Sequence, residues 1–135
     1  MAKNNFISII ISTVILFIIG SVYYTIFASE LAKYSTAFAN QEFNAVNVIV
    51  ELIRCAILSF VFVKLVSMLG ITNWIKALNV ALLLWVGFPF VLWLGAINHE
   101  KTPVMLALIH SGDWLIKLIV VLPILAFRNK KNANQ

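Results

Sequence analysis

Four apolar runs, each long enough to cross a hydrocarbon layer, decide what this chain can fold into. A helix needs about 20 mostly apolar residues to span a bilayer core. Runs of that kind occupy about 6–28, 45–69, 72–97 and 103–127. Of the 135 residues, 62% are hydrophobic and 11% charged, against roughly 45–50% and 25% in soluble domains. A soluble sphere of this size could not hide so much apolar surface, and the mean hydropathy of +0.99 points to lipid as the solvent for most of the chain. The expected fold is all-α: an integral membrane four-helix bundle forming a single membrane domain. The breaks at Gly70–Thr72 and Asn98–Thr102 are short, so consecutive helices should be antiparallel neighbours.

The start of the chain needs a separate argument, because Lys3 followed by an apolar stretch resembles a secretory signal. Cleavage after Ala28 would put Ile26 where a small residue is wanted, and the run from Phe6 to Ala28 is longer than a signal core. A retained helix is expected. Between the first two runs lies a polar outer loop, residues 29–44, with Glu30, Lys33, Asn40, Gln41 and Glu42. It also carries Leu31, Tyr34, Phe38 and Phe43, spaced as in a short amphipathic helix lying in the interface.

The net charge of +5 would suggest nucleic acid in a soluble protein, but here the basic residues cluster at the ends of apolar runs. Lys3, Lys64, Lys76, Arg128, Lys130 and Lys131 fall on the side of the N-terminus, and only Lys33 and Lys101 on the other. Basic residues accumulate on the cytoplasmic side, so both termini are expected there, in a bacterial-type cytoplasmic (inner) membrane, with no nucleic-acid partner. Tyr23, Tyr24, Trp74 and Trp93 sit near run ends, as interfacial aromatics do. Lys64 should snorkel to the nearby interface.

Ionisable residues inside the runs are the functional clue, since each costs several kcal/mol near the bilayer centre unless paired or hydrated. The second run holds Glu51 and Arg54; the fourth holds His110, Asp113 and Lys117. Spacings of three and four residues place each set on one helix face. At 1.5 Å per residue, Glu51 and Arg54 lie roughly 9 and 13 Å below the start of their helix, and His110 and Asp113 roughly 10 and 15 Å below theirs. The two stripes should therefore face each other in the outer half of the bundle, with Arg54 beside Asp113 as the natural cross-pair. Tyr24, Trp85, Pro89 and Trp114 are candidate lining for a cavity there. Pro89 removes the backbone bond to the Trp85 carbonyl and should bend the third helix; Pro123 reads as a late kink in the fourth.

Three readings of these residues stay open. Two acids and two bases at similar depth could be structural glue between helices, in a chain that serves as an interaction subunit of a membrane complex. They could instead bind or pass a small ion or polar solute: Glu51 and Asp113 would take a cation or proton, His110 would relay it, and Arg54 and Lys117 would balance charge. Or His110 and Asp113 could be an acid/base pair of an enzyme acting on a lipid or quinone, though no nucleophile or cofactor motif accompanies them. No catalytic residue, cofactor or metal is assigned: His99, Glu100 and His110 lack the spacing of a helical zinc site, and Cys55 is the sole cysteine. The pairs Ser8/Ser12, Ser21/Thr25, Cys55/Ser59 and Ala107/Ser111 let helices approach closely, within one chain, in a homo-oligomer or against a membrane-protein partner.

The order of features resembles a known family. Gly20-Ser21-Val22-Tyr23-Tyr24 closes the first run and leads to Ala32-Lys33; the third carries Leu84-Trp85-Val86-Gly87-Phe88; Asn98 and Lys101 stand in the loop; the last reads Ile109-His110-Ser111-Gly112-Asp113-Trp114-Leu115. This is similar to domain-of-unknown-function family 1761, small bacterial four-span membrane proteins, over nearly the whole chain. Where that family often has Trp-Tyr-Ser-Pro, this chain has Tyr23-Tyr24-Thr25-Ile26. The resemblance implies the four-span architecture and carries no activity with it.

Overall fold

In the computed structural model, residues 3–34 and 44–133 are described. Helix α1 runs Lys3–Ile26 and is followed by a single turn, α2, Ala28–Leu31. Helix α3 is Ala45–Met68. The third span is built from α4, Trp74–Trp85, a π-helical turn, Val86–Phe90, and α5, Val91–His99; α6 is Val104–Ala133. The four long helices pack antiparallel, and each is long and apolar enough to cross a membrane, so the chain is a multi-pass membrane protein in contact with lipid. Phe38, Asn40, Gln41, Glu42 and Phe43, which the amphipathic reading of the outer loop uses, lie outside the described residues.

Local chemistry sets the helix ends. Asn44 and Asn73 precede α3 and α4, and each side chain accepts from the backbone N–H two residues on, at 2.9 and 2.7 Å. These bonds satisfy donors that a helix start leaves open. Helix α3 ends at Gly70, whose φ of +58° suits a residue without Cβ. There Gly70 N–H donates to Ser67 O and Ile71 N–H to Val66 O, and Ile71 packs in the core beside Val66, the bonding and apolar contact of a Schellman cap. In the third span the backbone accommodates Pro89 by a π-turn, Val86–Phe90. Proline cannot donate to the carbonyl four residues back, and widening the turn relieves the clash of its ring with it. Helix α6 continues through Pro123 to Ala133.

The packing is inside-out relative to a soluble bundle. On α1, Ile10, Val14, Ile18 and Val22 face outward, while Ser8, Ser12, Leu16 and Gly20, also spaced by four, are buried. With lipid outside there is no penalty for outward aliphatics, and small residues inside let backbones approach. Ser8 lines a small cavity with Val63, and the Gly20 α-carbon faces Glu51. These two points fix the antiparallel register of α1 on α3, and four-residue steps between them set Ser12 beside Ser59 and Leu16 beside Cys55. Two of the small-residue pairs thus serve contacts within one chain. Helix α6 packs against α1, α3 and the third span, whereas the third span packs chiefly on α6, through the fully buried Ala77 and Ala81. At the end holding the N-terminus, Arg128 Nε donates to Ser8 Oγ at 2.9 Å, and Asn129 Nδ2 reaches Ile71 O at 3.1 Å. Lys64 points outward.

Candidate functional site

The site forms at the opposite end of the bundle, where α1 and α6 exchange side chains across two glycines. A Cβ at Gly20 would lie 3.0 Å from Lys117 Nζ, and one at Gly112 would lie 2.5 Å from Tyr23 Oη. Each helix therefore lacks a side chain where the other inserts a polar one. Tyr23 Oη donates to Ile109 O at 2.9 Å, and Tyr24 Oη bonds His110 Nδ1 at 2.8 Å. The His110 ring also stacks on Trp93, with centroids 4.9 Å apart and planes 11° from parallel.

The ionic residues pair within their own helices. Arg54 Nη2 donates to Glu51 Oε1 at 3.0 Å, and Lys117 Nζ to Asp113 Oδ2 at 2.7 Å. The expected cross-pair of Arg54 with Asp113 does not form. The stripes do approach each other, since Lys117 Nζ and Glu51 Oε1 both lie within 4 Å of where a Cβ at Gly20 of α1 would stand. Spacings of three and four instead let each acid find a base one turn along.

The two pairs differ in access. Side chains of Lys117 and Asp113 are 3% and 2% exposed, those of Arg54 and Glu51 55% and 31%. Asp113 Oδ1 is buried and has no hydrogen-bond partner among the described residues, as do the hydroxyls of Ser12, Ser59 and Ser111. Above the buried pair lies a cavity of about 340 Å³ lined by Gly20, Ser21, Tyr24, Ala28, Leu31, Glu51, Arg54 and His110. Its volume is within the range of small-molecule sites, roughly 300–1,000 Å³. Its wall combines a guanidinium, a carboxylate, an imidazole and two hydroxyls with the apolar surface of Ala28 and Leu31.

Of the candidate lining residues, Tyr24 faces this cavity. Trp85 instead donates from Nε1 to Ser111 O at 2.8 Å, tying the third span to α6. Pro89 and Trp114 line a separate apolar hollow of about 380 Å³ at the π-turn, with Trp93 at its edge. Asp113 and Lys117 lie beneath the cavity and do not line it. Gly20, Ser21, Ala28 and Leu31 were not expected as cavity lining from the sequence. Gly20 had a signal: it extends the Ser8/Ser12 pair by two further four-residue steps. Among the described residues no three His, Cys, Asp or Glu side chains converge as a metal site would require.

A family model described as a protein of unknown function, DUF1761, matches residues 7–126. The chain belongs to this family. No curated protein and no solved structure matches it. The matched segment of this DUF1761 chain reaches into all four spans and takes in every ionisable residue of the cluster, from Glu51 to Lys117.

Proposed function

We propose that this protein is a non-enzymatic component of a bacterial-type cytoplasmic membrane, with both termini in the cytoplasm, and that its cavity binds a small ion or polar solute from the outer half of the bilayer. Six basic residues at the terminal end against two at the other support the orientation. The carrying observation is the cavity itself: Glu51, Arg54, Tyr24 and His110 converge on about 340 Å³ of open space within the spans. Ionisable groups are expensive at that depth and are usually retained for a pathway or a ligand.

The buried Asp113–Lys117 pair has a different part in this reading. It is matched in charge, formed within α6 and seated against the Gly20 notch of α1, which suits a structural part in the α1–α6 seam. His110 is engaged by Tyr24 and stacked on Trp93, and Asp113 Oδ2 is engaged by Lys117, an arrangement that holds both groups rather than freeing them for acid/base turnover. A second reading, an interaction subunit of a membrane complex, draws support from the third span. It leaves Leu82, Leu83, Phe88 and Leu92 uncovered, apolar surface that lipid or another membrane protein would cover.

The test is thermal stabilisation of the purified protein in lipid nanodiscs by a charge series: butyrate, butylammonium and glycine betaine. A ligand at about 100 times its Kd should stabilise the fold by about 2.7 kcal/mol. Stabilisation by one member that is lost in Arg54→Gln or Glu51→Gln supports a solute site. No stabilisation by any of the three overturns it in favour of the interaction subunit.

A further inference from the structure

We infer that the cavity takes a small organic monocarboxylate together with one proton, the carboxylate on Arg54 and the proton on Glu51. This deepens the solute-site reading and rests on it. The argument begins with hydrogen-bonding capacity. A guanidinium has five N–H donors in a fork that fits a carboxylate, and Arg54 commits Nη2 to Glu51 while more than half its side chain stays uncovered at the cavity. Glu51 has less to offer. It is the less exposed partner, and its Oε1 already accepts from Arg54 and, at 3.6 Å, from Cys55 Sγ. The Tyr24 hydroxyl is engaged with His110, and the N–H groups left on Arg54 outnumber the lone pairs of Glu51 Oε2, so the cavity suits an acceptor group. Ala28 and Leu31 offer apolar surface to the organic part.

Charge balance supplies the proton. Arg54 and Glu51 sum to zero, as do Lys117 and Asp113, so an anion entering alone would leave one negative charge uncompensated where charge is costly. The two members of the open pair are unequal in how they can adjust, because arginine keeps its proton in proteins whereas a carboxylate can gain one. A cation bound by Glu51 would strand the Arg54 charge with no remedy. An anion bound by Arg54 releases Glu51, which takes a proton from water, and the sum returns to zero. The ionisable groups around Glu51 are Arg54 and Cys55 on α3, Tyr23 and Tyr24 on α1, and His110, Asp113 and Lys117 on α6. Glu30 and Lys33 near α2 pair with each other at 2.6 Å. Lys117 is held by Asp113, and Glu51 alone of these groups loses its partner when the anion binds.

The experiment is titration calorimetry of the full chain in nanodiscs with butyrate, in buffers of differing ionisation heat, with empty discs subtracted. The expected result is uptake of about one proton per butyrate, with affinity falling about tenfold per unit rise in pH. Arg54→Gln should weaken binding by about tenfold or more, and Arg54→Lys by less. Glu51→Gln should bind butyrate with proton uptake near zero and no dependence on pH. Butyrate binding without proton uptake, uptake that persists in Glu51→Gln, or a preference for butylammonium or betaine overturns the inference and leaves the cavity a solute site. No binding of any of the three probes overturns both. The wild-type buffer series stands without any variant, so failure of a variant to fold does not protect the inference.

Discussion

The two intramembrane ion pairs have the same chemistry, and both are formed within one helix, yet they sit in different surroundings. Glu51–Arg54 opens on a cavity, while Asp113–Lys117 is enclosed by α1 and α6. The difference teaches that burial, rather than the presence of charge, separates a pair that holds helices from one that can exchange partners. A buried pair has no water to replace a lost partner, so it is hard to break. An open pair is worth little to stability and its members remain available.

The largest effect should come from breaking the enclosed pair on one side. Lys117→Met leaves the Asp113 carboxylate buried without a counterion and should cost about 3–5 kcal/mol, read by denaturant unfolding in mixed micelles. The double variant Asp113→Leu/Lys117→Met should recover most of that loss, and equal harm from single and double changes would sink the assignment of the pair as glue. Next comes the seam that encloses it. Gly112→Ala would place a Cβ 2.5 Å from Tyr23 Oη, forcing the hydroxyl off Ile109 O at a cost of about 1–3 kcal/mol. Adding Tyr23→Phe should return part of it, and no recovery would mean that the clash lies elsewhere.

The open pair should respond less. Glu51→Gln should change unfolding free energy by about 1 kcal/mol or less, and a loss as large as that for Lys117→Met would erase the distinction between the pairs. Smallest is the exposed Lys33–Glu30 pair. The Glu30 carboxylate holds the Lys33 ammonium above the ordinary lysine range. Any contribution is therefore complete at neutral pH and lost only as pH rises past that range. Lys33→Ala should leave the melting temperature at neutral pH unchanged.

The four helices were legible because apolar length is a one-dimensional property, read directly from the runs. The stripes of Glu51 with Arg54 and of His110 with Asp113 and Lys117 were legible for the same reason: spacing alone sets a face. What the spacing does not contain is which of two available partners an acid takes. The Arg54–Asp113 cross-pair failed on that point, since each acid found a base on its own helix. The defect at Pro89 was legible, whereas the π-turn Val86–Phe90 that accommodates it is a backbone geometry that residue spacing does not encode. Gly20 and Gly112 carry no chemistry of their own, so their importance is visible only once Lys117 and Tyr23 are seen filling the space they leave.

Those two glycines also determine which parts of the cavity wall can travel. A slide of α1 along α6 by a single residue would drive Lys117 into Ile19 or Ser21 and Tyr23 into Ser111 or Asp113, so the two helices behave as one fixed jaw. Helix α3 packs along α1 more extensively than α6 does, so Glu51 and Arg54 are seated on that same jaw.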